Sequence, residues 1–311
     1  MLHAANHAWG LALAEFIRME VAMRTPDREA AVAAGRRAVA RFHQVGDRWG
    51  LGRPVASLVQ RAALGRLTEA AEILEESLRI AGDVELWNTV QWVAGDLGLT
   101  HVMLDRGDDA ERCFDEAERV ATRYGLPAGR GLAHLGRGHL ARRAGDTAAA
   151  REHFRQAVRL CEQVGSPALV ATALSGLGYV EESVGHLDRA AEAHHQVLEL
   201  ARTARVGSLT APGLEGLAGV AAARGDAEGA DELGRAAALR ARSGQPPHAL
   251  EQPDIERIMR RVEEDLGSGF RRRLRTRSWS DEPGRPPNHP VSGDTVGVMR
   301  GRAACPVRRH R

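Results

Sequence analysis

The chain has 311 residues, enough for about two average domains or one long repeat array. It contains no lysine; all 43 of its Lys-plus-Arg residues are arginine. A complete Walker phosphate loop, Schiff-base site or kinase-type ATP site is thereby excluded, because each needs a lysine ammonium.

Hydrophobic residues make up 43% of the chain and aromatic residues 4%, so the core is built from Ala, Leu and Val. Small apolar side chains suit close helix-on-helix packing better than a β-sandwich. Cys113, Cys161 and Cys305 are too scattered for a disulfide framework or a zinc site. The apolar runs fall well short of the roughly 18 residues of a membrane span, and Met1–Gly10 lacks a basic region ahead of an apolar stretch. A soluble, cytoplasmic protein is expected. Residues 271–311 hold 11 arginines against Asp281, Glu282 and Asp294, a local +8, so residues 1–270 carry −6 within a total of +2.

In chain order, the first helical pair spans about 3–44 and turns at Thr25-Pro26-Asp27, where Thr caps and Pro takes the first helical position. Further pairs follow at about 47–81, 83–124, 127–164, 167–206 and 209–243, then a terminal helix at 254–266 opened by Pro253-Asp254. The boundaries come from two glycine series. Gly65, Gly107, Gly145, Gly185 and Gly225 are spaced 42, 38, 40 and 40 apart. Gly46, Gly125, Gly165 and Gly207 lie about twenty residues earlier and end helices, where positive φ favours glycine.

Positions between the glycines agree. Ala70, Ala150, Ala190 and Ala230 recur in register, as do Ser77, Ala157, Val197 and Ala237, and Gly138, Gly178 and Ala218. Leu74 and Phe154 fill the inter-helix space, whereas His194 and Gly234 at the same register do not. The third unit reads as irregular: Phe114 and Ala117 match Phe154 and Ala157 only if two residues are missing after Gly107.

The pattern Gly138, Gly145, Ala150, Phe154, Ala157 resembles the tetratricopeptide (TPR) repeat, here nearer 40 residues than 34. That resemblance implies an all-α, TPR-like right-handed α-solenoid of about six helix pairs plus a terminal helix over residues 1–270, with the first helix of each pair on the concave side. The stretch Arg41–Gly50, and the close with Arg242, Gly244, Pro246, Pro253, Asp254, Arg257, Leu266, Gly267 and Phe270, resemble the C-terminal arrays of actinobacterial AfsR/SARP and LuxR-type transcriptional regulators. There the array follows a DNA-binding domain and a STAND-type ATPase module, so the resemblance implies a detached or truncated array whose ATPase and DNA-binding partners reside on another chain.

Polar residues on first helices are the candidate binding positions for a protein, peptide or small ligand: Ser57, Gln60, Asn88, Gln91, Arg130, Arg137, Thr172 and Ser175. Each also fits an ordinary solvated face, and arginines there could pair with acids three or four residues away instead of clamping a ligand carboxylate. Trp87 and Trp92, five apart, read as core filling; Trp9 and Trp49 are expected to pack between pairs. His3 with His7, and His194 with His195, lack the further ligand and base that a catalytic zinc needs. Gly129-Arg-Gly131 and Gly136-Arg-Gly138 follow no strand, so they read as helix contacts and not a dinucleotide loop. No enzyme, cofactor or metal is expected.

The tail from Arg271 through Arg277 to residue 311 is rich in Pro, Gly and Arg and is expected to be disordered. It departs from the regulators' apolar ending, so a frame change fits it, as does nonspecific phosphate contact with nucleic acid through Arg271–Arg277. A stand-alone scaffold is the remaining alternative.

Overall fold

The computed structural model describes residues 2–22, 28–47, 67–83, 85–226, 228–243 and 247–266, all within one compact unit, Met1–Thr276. The described residues form helices and no strand. The helices are α1 (Leu2–Ala22), α2 (Arg28–Gln44), α3 (Leu67–Asp83), α4 (Trp87–Met103), α5 (Gly107–Tyr124), α6 (Pro127–Arg143), α7 (Thr147–Val164), α8 (Pro167–Ser183), α9 (Leu187–Thr203), α10 (Thr210–Arg224), α11 (Glu228–Ser243) and α12 (Gln252–Leu266). A 3-10 turn, Gly207–Leu209, leads into α10.

Neighbours in sequence are neighbours in space: α4 packs on α5, α5 on α6, and so on to α11. The fold is a TPR-like α-solenoid. The expected turn at 25–27, the first helix of the expected pair 47–81, Trp49 and the tail from 271 lie outside the described residues.

The turns correct the glycine reading. Left-handed backbone recurs at Glu85, Gly125, Gly165 and Arg205, and again at Asp105, Gly145, Gly185 and Gly225, each series with a period of 40 residues. Gly107 is not a turn marker; it opens α5, and the left-handed seat before it belongs to Asp105 with φ 59°. Gly207 likewise yields to Arg205 at φ 55°. The third unit is therefore regular. Phe114 lies nine residues after Asp105, as Phe154 lies nine after Gly145, with no residue missing. The period is set by helix packing. Non-glycine residues occupy left-handed seats at a cost of ~1–2 kcal/mol each.

Those packing positions form a ladder. Phe114 lies between Gly98 and Gly136, Phe154 between Gly138 and Gly176, and His194 between Gly178 and Gly216. A Cβ on Gly136 would fall 1.9 Å from the Phe114 ring, and one on Gly216 would fall 2.1 Å from His194. His194 thus fills the space, contrary to the sequence expectation, and is fully buried with Phe114 and Phe154. In α11 the bulky role passes to Leu233, which is buried beside Ala230 and Ala236 while Ala237 is exposed.

Candidate functional site

Ser57 and Gln60 lie outside the described residues. The other six candidates do not form one surface. Asn88, on the first turn of α4, is exposed, and its Oδ1 accepts a hydrogen bond from Gln91 Nε2 at 2.7 Å. Gln91 is buried, and its Oε1 accepts from the Gly129 backbone N–H at 2.7 Å, which ties α4 to α6. A Cβ at Gly129 would meet the Ala117 carbonyl at 2.6 Å and Gln91 at 2.9 Å, so this glycine serves close helix approach.

Arg137 is a clamp, but an internal one. It donates to Glu111 at 2.9 Å, Glu118 at 2.7 Å and Asp115 at 2.6 Å, all on α5. Its hydrogen bond holds the Glu118 carboxyl below the usual range. Arg130 is exposed on α6. Thr172 turns its hydroxyl back to the Ala168 carbonyl at 3.0 Å, and Ser175 is fully buried.

The remaining aromatic and histidine expectations resolve similarly. Trp87 stacks on Tyr124, centroids 5.0 Å apart, and Trp92 packs against the central core. Trp9 is partly exposed and donates from Nε1 to Asp47 at 2.6 Å, which ties α1 to the end of its own hairpin. His194 points into the core while His195 is exposed, so the two do not converge. The side chains of His3 and His7 lie outside those described. Among the described residues, no three His, Cys, Asp or Glu side chains gather as a metal site. Burial pushes the thiols of Cys113 and Cys161 up to about 11.

The most developed arrangement was not legible in the sequence. The segment His248–Val262 lies across three first helices, α6, α8 and α10. Leu250 is buried in the core cluster that contains Leu135 and Val180. Arg142, in the last turn of α6, donates to Asp254 at 2.6 Å and to the Leu250 carbonyl at 3.3 Å. Arg257 forks onto Glu182 of α8 at 2.7 and 3.1 Å. Ile258 is fully buried and fills the space over Gly219 of α10, where a Cβ would meet its Cδ1 at 2.7 Å. Tyr179, Ala218, Ala222, Ile258 and Val262 form one apolar cluster.

Beneath the start of this segment is a buried polar cluster. Arg240 of α11 donates to both Glu215 carboxylate oxygens, at 3.0 and 2.8 Å. Glu251 is almost fully buried; burial pushes its carboxyl up to about 7, the nearby Glu215 carboxylate adds to that, and Arg240 and the Ser175 hydroxyl oppose it. Burial, with Arg240, keeps His248 neutral to lower pH than usual. The Tyr179 hydroxyl is buried without a hydrogen-bond partner, and the Arg142 guanidinium lies 5.8 Å from its ring centroid. A second network sits at the end of α8. Burial pushes the Glu181 carboxyl up, but hydrogen bonds from Arg151 and His186 outweigh it and hold it below the usual range.

These contacts define a helical-repeat array with a helix-bearing face. The family profile of the tetratricopeptide repeat matches residues 89–163 and, in an overlapping register, 129–203. No curated protein matches the sequence at a significant level. Among solved structures, the chain is similar to BtubC (BKLC) from P. vanneervenii, with TM-score 0.52, 18% identity, and coverage of 71% of this chain and 93% of that one. It is also similar to a Signal Transduction ATPase with Numerous Domains (STAND) protein with a tetratricopeptide repeat sensor from Pyrococcus horikoshii, with TM-score 0.54 and 13% identity. That match covers 82% of this chain and 39% of the other. At these identities the likeness is one of fold. No described helix is long and apolar enough to cross a membrane.

Proposed function

We propose that the chain is a non-catalytic protein-interaction and sensor module of a bacterial transcriptional regulator. It seats a protein or peptide segment along its first helices and acts with ATPase and DNA-binding domains carried on another chain. One observation carries this reading: the faces of α6, α8 and α10 already hold a helical segment, Gln252–Leu266, through side chains from three successive repeats. The STAND neighbour, which pairs a TPR sensor with an ATPase, supports the regulator context by analogy of architecture.

Exposed Arg130 and Asn88 extend the same first-helix series and remain proposed contact positions; Gln91, Arg137 and Ser175 act within the array. The test is capture of partners by the full chain from cells of its source, compared with Arg130→Glu. Recovery of an ATPase or DNA-binding chain, reduced by that change, is the expected result. Recovery of the same partners unaffected by Arg130→Glu defeats the contact assignment, and recovery of none defeats the module. DNA contact through Arg271–Arg277 rests on charge alone and requires duplex binding that collapses between low and high salt.

A further inference from the structure

We propose that the face formed by α6, α8 and α10 is a receptor for an amphipathic helix, and that residues 248–262 are a resident occupant that a partner protein's helix of like pattern displaces. This deepens the interaction-module reading and rests on it.

The seat is built. The column of first-helix positions that carries His139 on α6 and Tyr179 on α8 drops to Gly219 on α10. That drop opens a socket which Ile258 enters, with the Glu182 carboxylate of α8 at its edge. Two ionic contacts of opposite sign flank it. Arg142 receives a carboxylate from the incoming helix, and Glu182, buried at its carboxylate, receives an arginine one turn later. The order acid, three residues, arginine, next residue apolar sets the direction of the helix as well as its register. The matching ligand is therefore a helix with an acidic residue in its first turn, Arg three positions on, and apolar residues at the positions of Ile255, Ile258 and Val262.

The resident segment is seated but not fully matched. Its entry places Glu251, nearly fully buried, beside Glu215, and both carboxyls lie in the field of the Arg240 guanidinium, whose fork is engaged by Glu215. Burying a second acid against one cation is costly. Its outer face is polar and exposed at Glu256, Arg260, Arg261 and Glu264, with Met259 44% exposed, so a single face of the helix holds it. A partner helix offering the same inner face without the buried acid competes on favourable terms.

The test uses the full chain and a fluorescent synthetic peptide of residues 247–266. Wild type is compared with Ile258→Glu, which unseats the resident helix. The peptide should bind the Ile258→Glu protein at least tenfold more tightly than wild type, and a peptide itself carrying Ile258→Glu should bind neither. Equal binding to both proteins, or none to an Ile258→Glu protein with unchanged circular dichroism, overturns the proposal.

Amide exchange of the wild type gives a variant-free reading, decisive if Ile258→Glu unfolds. Amides of 255–262 should exchange at least tenfold faster than those buried in α8; equal rates would mean that the segment opens only when the array unfolds, which overturns it. A concentration-dependent dimer of wild type, lost in Ile258→Glu, would assign the seat to a second copy of this chain and overturn the external partner. Peptide competition can succeed while partner capture fails, so the two readings fall separately.

Discussion

The socket around Phe154 and the socket around His194 are the same cavity at two addresses. Each is walled by two glycines 38 residues apart, Gly138 with Gly176 and Gly178 with Gly216, and each side chain is completely buried. They differ in what polarity does. The Phe154 ring meets His139 edge-on at 5.0 Å and leaves no polar atom unsatisfied on its own account. Both ring nitrogens of His194 are buried without a partner, and burial, with His195 adding, drives its pKa down to about 3. The ladder therefore selects for ring volume first. It tolerates a neutral imidazole where the repeat elsewhere has phenyl.

Seven substitutions break or sharpen this comparison, from the largest effect down. Phe154→Ala empties a socket that glycines cannot collapse to fill, and should cost ~3–5 kcal/mol in urea unfolding. His194→Ala at the sister site should cost clearly less, because it also removes two unsatisfied nitrogens. Gly176→Ala forces a methyl to within 2.5 Å of the Phe154 ring and should cost ~1–3 kcal/mol, as should Gly216→Ala against His194.

His194→Phe restores the phenyl of the ladder and should stabilise by ~1–3 kcal/mol by removing buried unpaired polar atoms. If His194→Phe destabilises, the two sockets are not equivalent. The smallest effect tests the turns. Asp105→Gly and Arg205→Gly relieve left-handed backbone at the cost of a freer unfolded chain, and a net gain of ~0.5–1 kcal/mol is expected.

The pH dependence has two opposed arms. His194 titrates near 3 when folded and near 6.5 when unfolded, so its neutral seat loses stability as pH falls below 6.5. Glu251 titrates near 7 when folded against 4.5 unfolded, so its protonated seat loses stability as pH rises from 4.5 through 7. Thermal midpoints of wild type, His194→Phe and Glu251→Gln should show the acid slope shrinking in the first variant and the alkaline slope shrinking in the second.

Much of this architecture was legible. Helix pairs from 127 to 243 appear within a few residues of the expected boundaries, because Gly125, Gly145, Gly165, Gly185 and Gly225 each take the left-handed turn their position implied. The third pair misread as irregular because the same turn is made by Asp105, and a rare residue at a seat that favours glycine gives no signal in composition. The candidate positions fared unevenly. Asn88, Gln91, Arg130, Arg137, Thr172 and Ser175 all lie on α4, α6 or α8, but a helix period does not say whether a polar side chain meets solvent, a neighbouring backbone N–H or three carboxylates.

The linear order of residues settled the helices, their pairing and the 40-residue period, since those follow from local turns and from small side chains recurring on one face. Tertiary structure alone decided where the last helix goes. Asp254 meets Arg142 across 112 positions and Arg257 meets Glu182 across 75. Such contacts arise only once three hairpins have stacked to bring Arg142, Glu182 and Gly219 onto a common face, and no local pattern encodes that coincidence.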